Sequence, residues 1–164
     1  MSVLIPEHKL HLDILENKVS KVAGQLQKFP PGSPKHADKV SRRLGGLRDL
    51  ITQKFNQDPL LLDEVARHEV NLLQAMVDYK NAAVMHSELS VPFLEKIRQI
   101  RSSKTNAEAM PRFDELRTLH ADYIQQVRNP FFHASDNIKF IAKDVDAFLA
   151  RLETKARKQK EKHS

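Results

Sequence analysis

The chain has 164 residues, four glycines, two tyrosines, no cysteine and no tryptophan, with a formal charge of +6 and a pI near 9.6. A chain of this length suits one domain, residues 1–164, around a single core. The lack of cysteine excludes disulfides and thiolate metal sites, and no apolar run is long enough to span a bilayer. The start, MSVLIPEHKLHLD, lacks the charged lead and apolar core of a signal peptide. A soluble, cytoplasmic protein with no membrane partner is expected. Leu, Lys, Glu, Gln and Ala are frequent, and Val-rich runs are few, which argues for helices and against a sheet.

In chain order, Pro6 suits a first helical turn, and Leu12, Leu15, Val19, Val22, Leu26 and Phe29 recur at spacings of three and four. FPPGSPKH then makes a loop. A second helix carries Ala37, Val40, Leu44, Leu47 and Ile51 on one face. Gly45 and Gly46 lie inside it and predict close approach of a neighbouring helix. Asp58 and Pro59 are a cap and a first helical residue for a third helix using Leu62, Val65, Leu72, Met76, Tyr79 and Ala83, to about Ser87. After Ser90 and Pro92 a shorter helix restarts, and SKTNAEAMP is a polar loop or irregular helix start. The next helix buries Phe113, Leu116, His120 or Leu119, Tyr123, Ile124 and Val127. The last buries Ile138, Ile141, Ala142, Val145, Phe148, Leu149 and Leu152. The basic tail, 154–164, reads as a solvated, fraying helix end. The expected fold class is all-α, a bundle of five to six helices.

The segment QQVRNPFFHASDN, 125–137, joins the last two helices. Pro130 disfavours helical geometry at Asn129, so the preceding helix is expected to stop near Arg128. PFFH becomes one short turn, with Ser135 or Asp136 capping the final helix. Its phenylalanines anchor it, leaving Arg128 and His133 to face one groove.

RNPFFH, residues 128–133, resembles the Arg-x4-6-His signature of HEPN domains, with Asn129 at the frequent polar position after the arginine. The following helix, ASDNIKFIAKDVDAFLARLE, is similar to the amphipathic helix that follows the motif in the family. The resemblance covers 107–153. It implies a HEPN-like helical bundle and a metal-independent endoribonuclease of a toxin-antitoxin, antiviral or RNA-processing system. RNA is then the substrate, Arg128, Asn129 and His133 the catalytic residues, and no cofactor or metal is required. It also implies a homodimer in which two motifs share a cleft, and an antitoxin or other regulatory protein as partner. The tyrosine that some toxin-type members carry after the histidine is missing, since Ala134 and Ser135 follow.

The residue chemistry is compatible with that role. Attack of a ribose 2′-hydroxyl on its own phosphate needs a group that exchanges protons near neutrality, which a histidine supplies. It also needs a fixed cation for charge developing on phosphate, which the forked donors of an arginine supply. Asn129 can orient the pair or bond a phosphate oxygen. The competing reading has Arg128 capping helix carbonyls and His133 as a satisfied structural histidine. Two further alternatives are a non-catalytic HEPN-like module that binds RNA or protein, and a plain helical interaction protein. The basic charge favours a polyanionic partner in general terms. His8 and His11, three apart on one helix, lack an evident third ligand and read as surface histidines. His86 and His120 read as structural groups at the core edge.

Overall fold

A computed structural model describes residues 4–162. The first three and last two residues, including the end of the basic tail, lie outside the described residues. The elements are α1 (Pro6–Lys28), α2 (Ala37–Lys54), α3 (Pro59–Arg101), α4 (Asn106–Tyr123) and α5 (Asn129–Lys162). A π turn, Ile124–Arg128, links α4 to α5 without a break. Among the described residues there is no strand. No helix is long and apolar enough to cross a membrane. The fold is all-α, as the periodicity predicts.

The expected five to six helices become four continuous rods, because two expected breaks do not occur. The first lies at Ser90–Pro92, where α3 runs on through the proline. Proline costs about 3 kcal/mol inside a helix. Downstream, Phe93, Ile97 and Ile100 are all buried, in phase with Tyr79, Ala82 and Ala83 upstream. Burying such a side chain stabilises by about 1.5–3 kcal/mol, so three of them outweigh one proline. Local propensity loses to a hydrophobic stripe that stays in register. The second expected break lies in the motif and is described with the site.

Two helix starts follow the sequence. The Asp58 carboxylate accepts the Leu60 N–H at 2.9 Å ahead of Pro59. At α4, the Thr105 hydroxyl accepts the Glu108 N–H at 3.1 Å, and the Glu108 carboxylate accepts the Lys104 N–H at 3.0 Å. That reciprocal pair starts the helix inside SKTNAEAMP and leaves Pro111 within it.

The chain divides into two compact units. The first comprises α1, the part of α3 from Asp78, α4, the π turn and α5 as far as His133. Its core takes Leu12, Leu15, Val19 and Val22 from α1, with Phe93, Leu116, Tyr123 and Phe131. Arg101 at the end of α3 pairs with Asp13 at 2.6 Å and with Glu16 of α1. The second unit comprises α2, α3 as far as Val77, and α5 from Ala134. Its core is aliphatic except for Phe148, with Val40, Leu44, Leu47 and Ile51 of α2 against Val65, Leu72, Val145 and Leu152.

Gly45 and Gly46 do not mark a close helix approach. Both face solvent, and a Cβ at either would meet nothing within 4 Å. The buried stripe of α2 passes through Leu44 and Leu47 on either side of them. Helix α5 continues to Lys162, with its side chains beyond Leu152 exposed apart from the half-buried Ala156.

Candidate functional site

The chain does not stop at Arg128. Asn129 is helical, at φ −66° and ψ −48°, and its N–H bonds the Ile124 carbonyl five residues back. PFFH is therefore the first turn of α5 and not a separate connection. Ser135 and Asp136 lie inside that helix instead of capping it. Pro130 offers no N–H, and in a regular helix its ring would press on the carbonyl of Gln126. The extra residue in the π turn shifts the preceding carbonyls out of α register just where the ring needs room. Burial then holds the rod together: Tyr123, Val127, Phe131, Ala134 and Ile138 are all buried at spacings of three and four.

The three motif residues take different surroundings. Phe131 is buried with its ring centroid 4.9 Å from that of Tyr79. The half-buried Arg128 guanidinium lies over the Phe132 ring, 5.6 Å from its centroid. Asn129 and His133 are exposed. His133 lines a groove of 360 Å³ with Asp78, Asn81 and Met85 of α3 and Gln126 and Pro130 of its own rod. Arg128 is not among the lining residues. Positions five apart on an α-helix differ by about 140° in direction. Within one chain the arginine and histidine thus leave the helix on different faces, and the structure does not bring them together.

A second groove in the same unit gathers residues that the sequence treats as unrelated. Its volume is 380 Å³, and it is lined by His8 and His11 of α1 and by Phe113, Arg117 and His120 of α4, over Leu15, Met110 and Leu116. The His8 and Phe113 rings lie 5.0 Å apart. Lys18 Nζ is 3.1 Å from Nε2 of His120. Burial lowers the His120 pKa from 6.5, and the charges of Lys18, His11 and Arg128 lower it further. A neutral His120 ring can therefore accept a hydrogen bond from the Lys18 ammonium. The charge of Arg128, the motif arginine, is thus felt at His120 in this groove. Arg117 has Asp114 at 3.7 Å, with both side chains well exposed.

Behind His120 runs a ladder of rings. Phe93 stacks on His120 at 6.1 Å and on Tyr123 at 5.5 Å. The Tyr123 hydroxyl is hydrogen bonded to Nδ1 of His86 at 2.8 Å. Burial pushes the Tyr123 phenol well up and the His86 imidazole down, so both are held neutral. The structural reading of His86 fits this ladder. His120 belongs to the ladder and also faces the groove. It is the third histidine beside His8 and His11, more than a hundred residues away in sequence, and no local pattern signals it. Among the described residues, no group of three or more His, Asp or Glu is placed to hold a metal ion.

The second groove has the parts of a site for a flat, anionic ligand. Imidazole and phenyl rings offer stacking faces, while Lys18, Arg117 and Arg128 supply positive charge near them. The chain matches no protein-family model, and it has no match among curated proteins or solved structures.

Proposed function

We propose that the protein binds single-stranded RNA through the histidine-lined groove of its first unit. The observation carrying this reading is the convergence of His8, His11, Phe113, Arg117 and His120 on one groove, with Lys18 in contact with His120. Bases stack on aromatic faces without needing sequence, and cations beside them take the phosphates. The net charge of +6 supports a polyanion as partner.

Fluorescence anisotropy with labelled 12-nucleotide RNA tests it. With three cations engaged, affinity is expected to weaken about twenty-fold between 50 and 200 mM salt. Phe113→Ala removes a stacking face and is expected to cost about 1–3 kcal/mol of binding. Arg117→Ala is expected to lower the salt slope by about 0.7. Absence of binding, or binding that ignores both substitutions, overturns the reading.

A second reading is metal-independent cleavage of RNA by a HEPN-like endoribonuclease, favoured by the exposure of His133 in a groove it shares with Asp78 and Gln126. His133 would exchange the proton of the attacking 2′-hydroxyl, and Arg128 and Asn129 would face the phosphate. Because one chain turns Arg128 and His133 apart, this reading requires a homodimer in which the two copies complete one cleft. An antitoxin or other regulatory partner belongs to the same reading. Cleavage in EDTA that leaves a 2′,3′-cyclic phosphate, and is abolished by both Arg128→Ala and His133→Ala, is the expected result. A magnesium-dependent 3′-hydroxyl product, or full activity in both variants, rejects it.

A further inference from the structure

Helix α3 carries a second apolar stripe that the core does not use. Val70, Leu73, Val77, Val84, Val91 and Leu94 are all exposed, Val91 at 68% and Val70 at 64%. Valine recurs every seven residues at 70, 77, 84 and 91, with leucine three residues on at 73 and 94. This is a heptad seam, valine at a and leucine at d, on one uninterrupted helix. It is about 36 Å long. The side chains leave apolar surface on the order of 500 Å² per copy, near the size at which a patch on a monomer marks an interface. A symmetric pair would hide about 1,000 Å², the lower bound for a specific interface.

We propose that this face pairs with the same face of a second copy, the two α3 helices running antiparallel. The polar positions of the seam choose the direction. Lys80 and Ser87 occupy the two remaining d positions. In a parallel pair Lys80 would meet Lys80 of the other copy, a like-charge contact inside an apolar seam. In the antiparallel register each a position meets a d position, Val70 against Leu94, Leu73 against Val91, Val77 against Ser87, and Lys80 against Val84. Glu88 of the other copy then lies one turn from Lys80, and Arg67 at one end of the seam faces Glu95 at the other. The two-fold axis crosses the seam at the level of the exposed Asn81, which also lines the His133 groove. Pairing thus sets the two copies of that groove about the axis. The pairing stands on the α3 face alone and needs neither reading of the grooves.

The chain has no cysteine, so introduced cysteines report cleanly. A mixture of Val70→Cys and Leu94→Cys proteins is expected to form a mixed disulfide, while Val70→Cys alone is expected not to crosslink. Light scattering at 100 μM is expected to give a dimer for the parent and a monomer for Val77→Glu/Val84→Glu, with helicity by circular dichroism unchanged. A parent that stays monomeric at that concentration, a dimer unaffected by the double substitution, or self-crosslinking of Val70→Cys overturns the proposal.

Discussion

The two units solve the same packing problem with different materials. The second is built from regular helices around aliphatic side chains, and arginine–carboxylate pairs such as Arg43–Asp146 and Arg151–Glu64 join its helices at the surface. The first holds three in-helix prolines, Pro92, Pro111 and Pro130, together with the π turn. It also holds the ladder of buried Phe93 and Tyr123 with half-buried His86, and both grooves described above. The departures from helical regularity therefore fall in the unit that carries both grooves, while the second unit keeps one half-buried polar ring, His68, against Phe148. Sequences that obey every local rule tend to be scaffold, and broken rules concentrate where a site is held.

The largest expected effect separates stability from binding. Phe148→Ala in the second unit and Phe93→Ala in the first each bury a cavity and are expected to cost about 3–5 kcal/mol in urea unfolding. Only Phe93→Ala also removes the ring against which His120 stacks, so only it is expected to weaken the proposed RNA binding while the protein remains folded. Equal effects on binding from the two variants would break the contrast between units.

Prolines come next. Pro92 sits in an otherwise regular stretch, so Pro92→Ala is expected to raise stability by up to about 3 kcal/mol. Pro130→Ala is expected to gain less, because the π turn already accommodates the ring. Thermal melts of the two variants compare them directly, and a larger gain at Pro130 would contradict the role given to the π turn. In the regular unit, Gly45→Ala and Gly46→Ala have open space for the added methyl. Each is expected to gain about 0.5–1 kcal/mol through lower backbone entropy in the unfolded chain.

The smallest effect is a pH dependence of stability, to which His86 and His120 of the first unit and His36 of the second contribute in the same direction. His86 and His120 both have folded-state pKa values below 6.5, chiefly through burial. As pH falls through 6.5 the unfolded chain takes up protons first. Stability is therefore greatest above that value, and it declines until the folded groups also protonate. The slope is expected to stay well under about 1.4 kcal/mol per pH unit for each group, since both rings are only half-buried and water screens them. Melts from pH 7.5 to 5.5 are expected to show the decline in the parent and a flatter profile in His86→Gln and His120→Gln. An unchanged slope in both variants would place the dependence elsewhere.

The candidate site was legible in the sequence only in part. RNPFFH draws attention because arginine and histidine sit close together beside a proline, and that spacing invites a shared groove. Closeness along a chain gives no common direction once the segment is helical. Arg128 turns toward the Phe132 ring and acts on His120, while His133 turns into the other groove. Of the histidine-lined groove the sequence shows only the His8 and His11 pair, which reads as surface histidines until α4 brings Phe113, Arg117 and His120 beside them.

Hydrophobic spacing by itself determined that the chain is helical and which faces of α1, α2 and the end of α5 are buried. Leu12, Leu15, Val19 and Val22 on α1, and Val40, Leu44, Leu47 and Ile51 on α2, are buried as their spacing requires. That follows because a 3.6-residue period is a property of the local chain and can be read without knowing the partner surface. Tertiary structure alone decided that Pro92 and Pro130 would be carried inside long rods, since burial of distant side chains in one register outweighs a local penalty near 3 kcal/mol. It alone decided which charged and aromatic groups meet, because the energy that assembles a groove comes from contacts between residues remote in sequence.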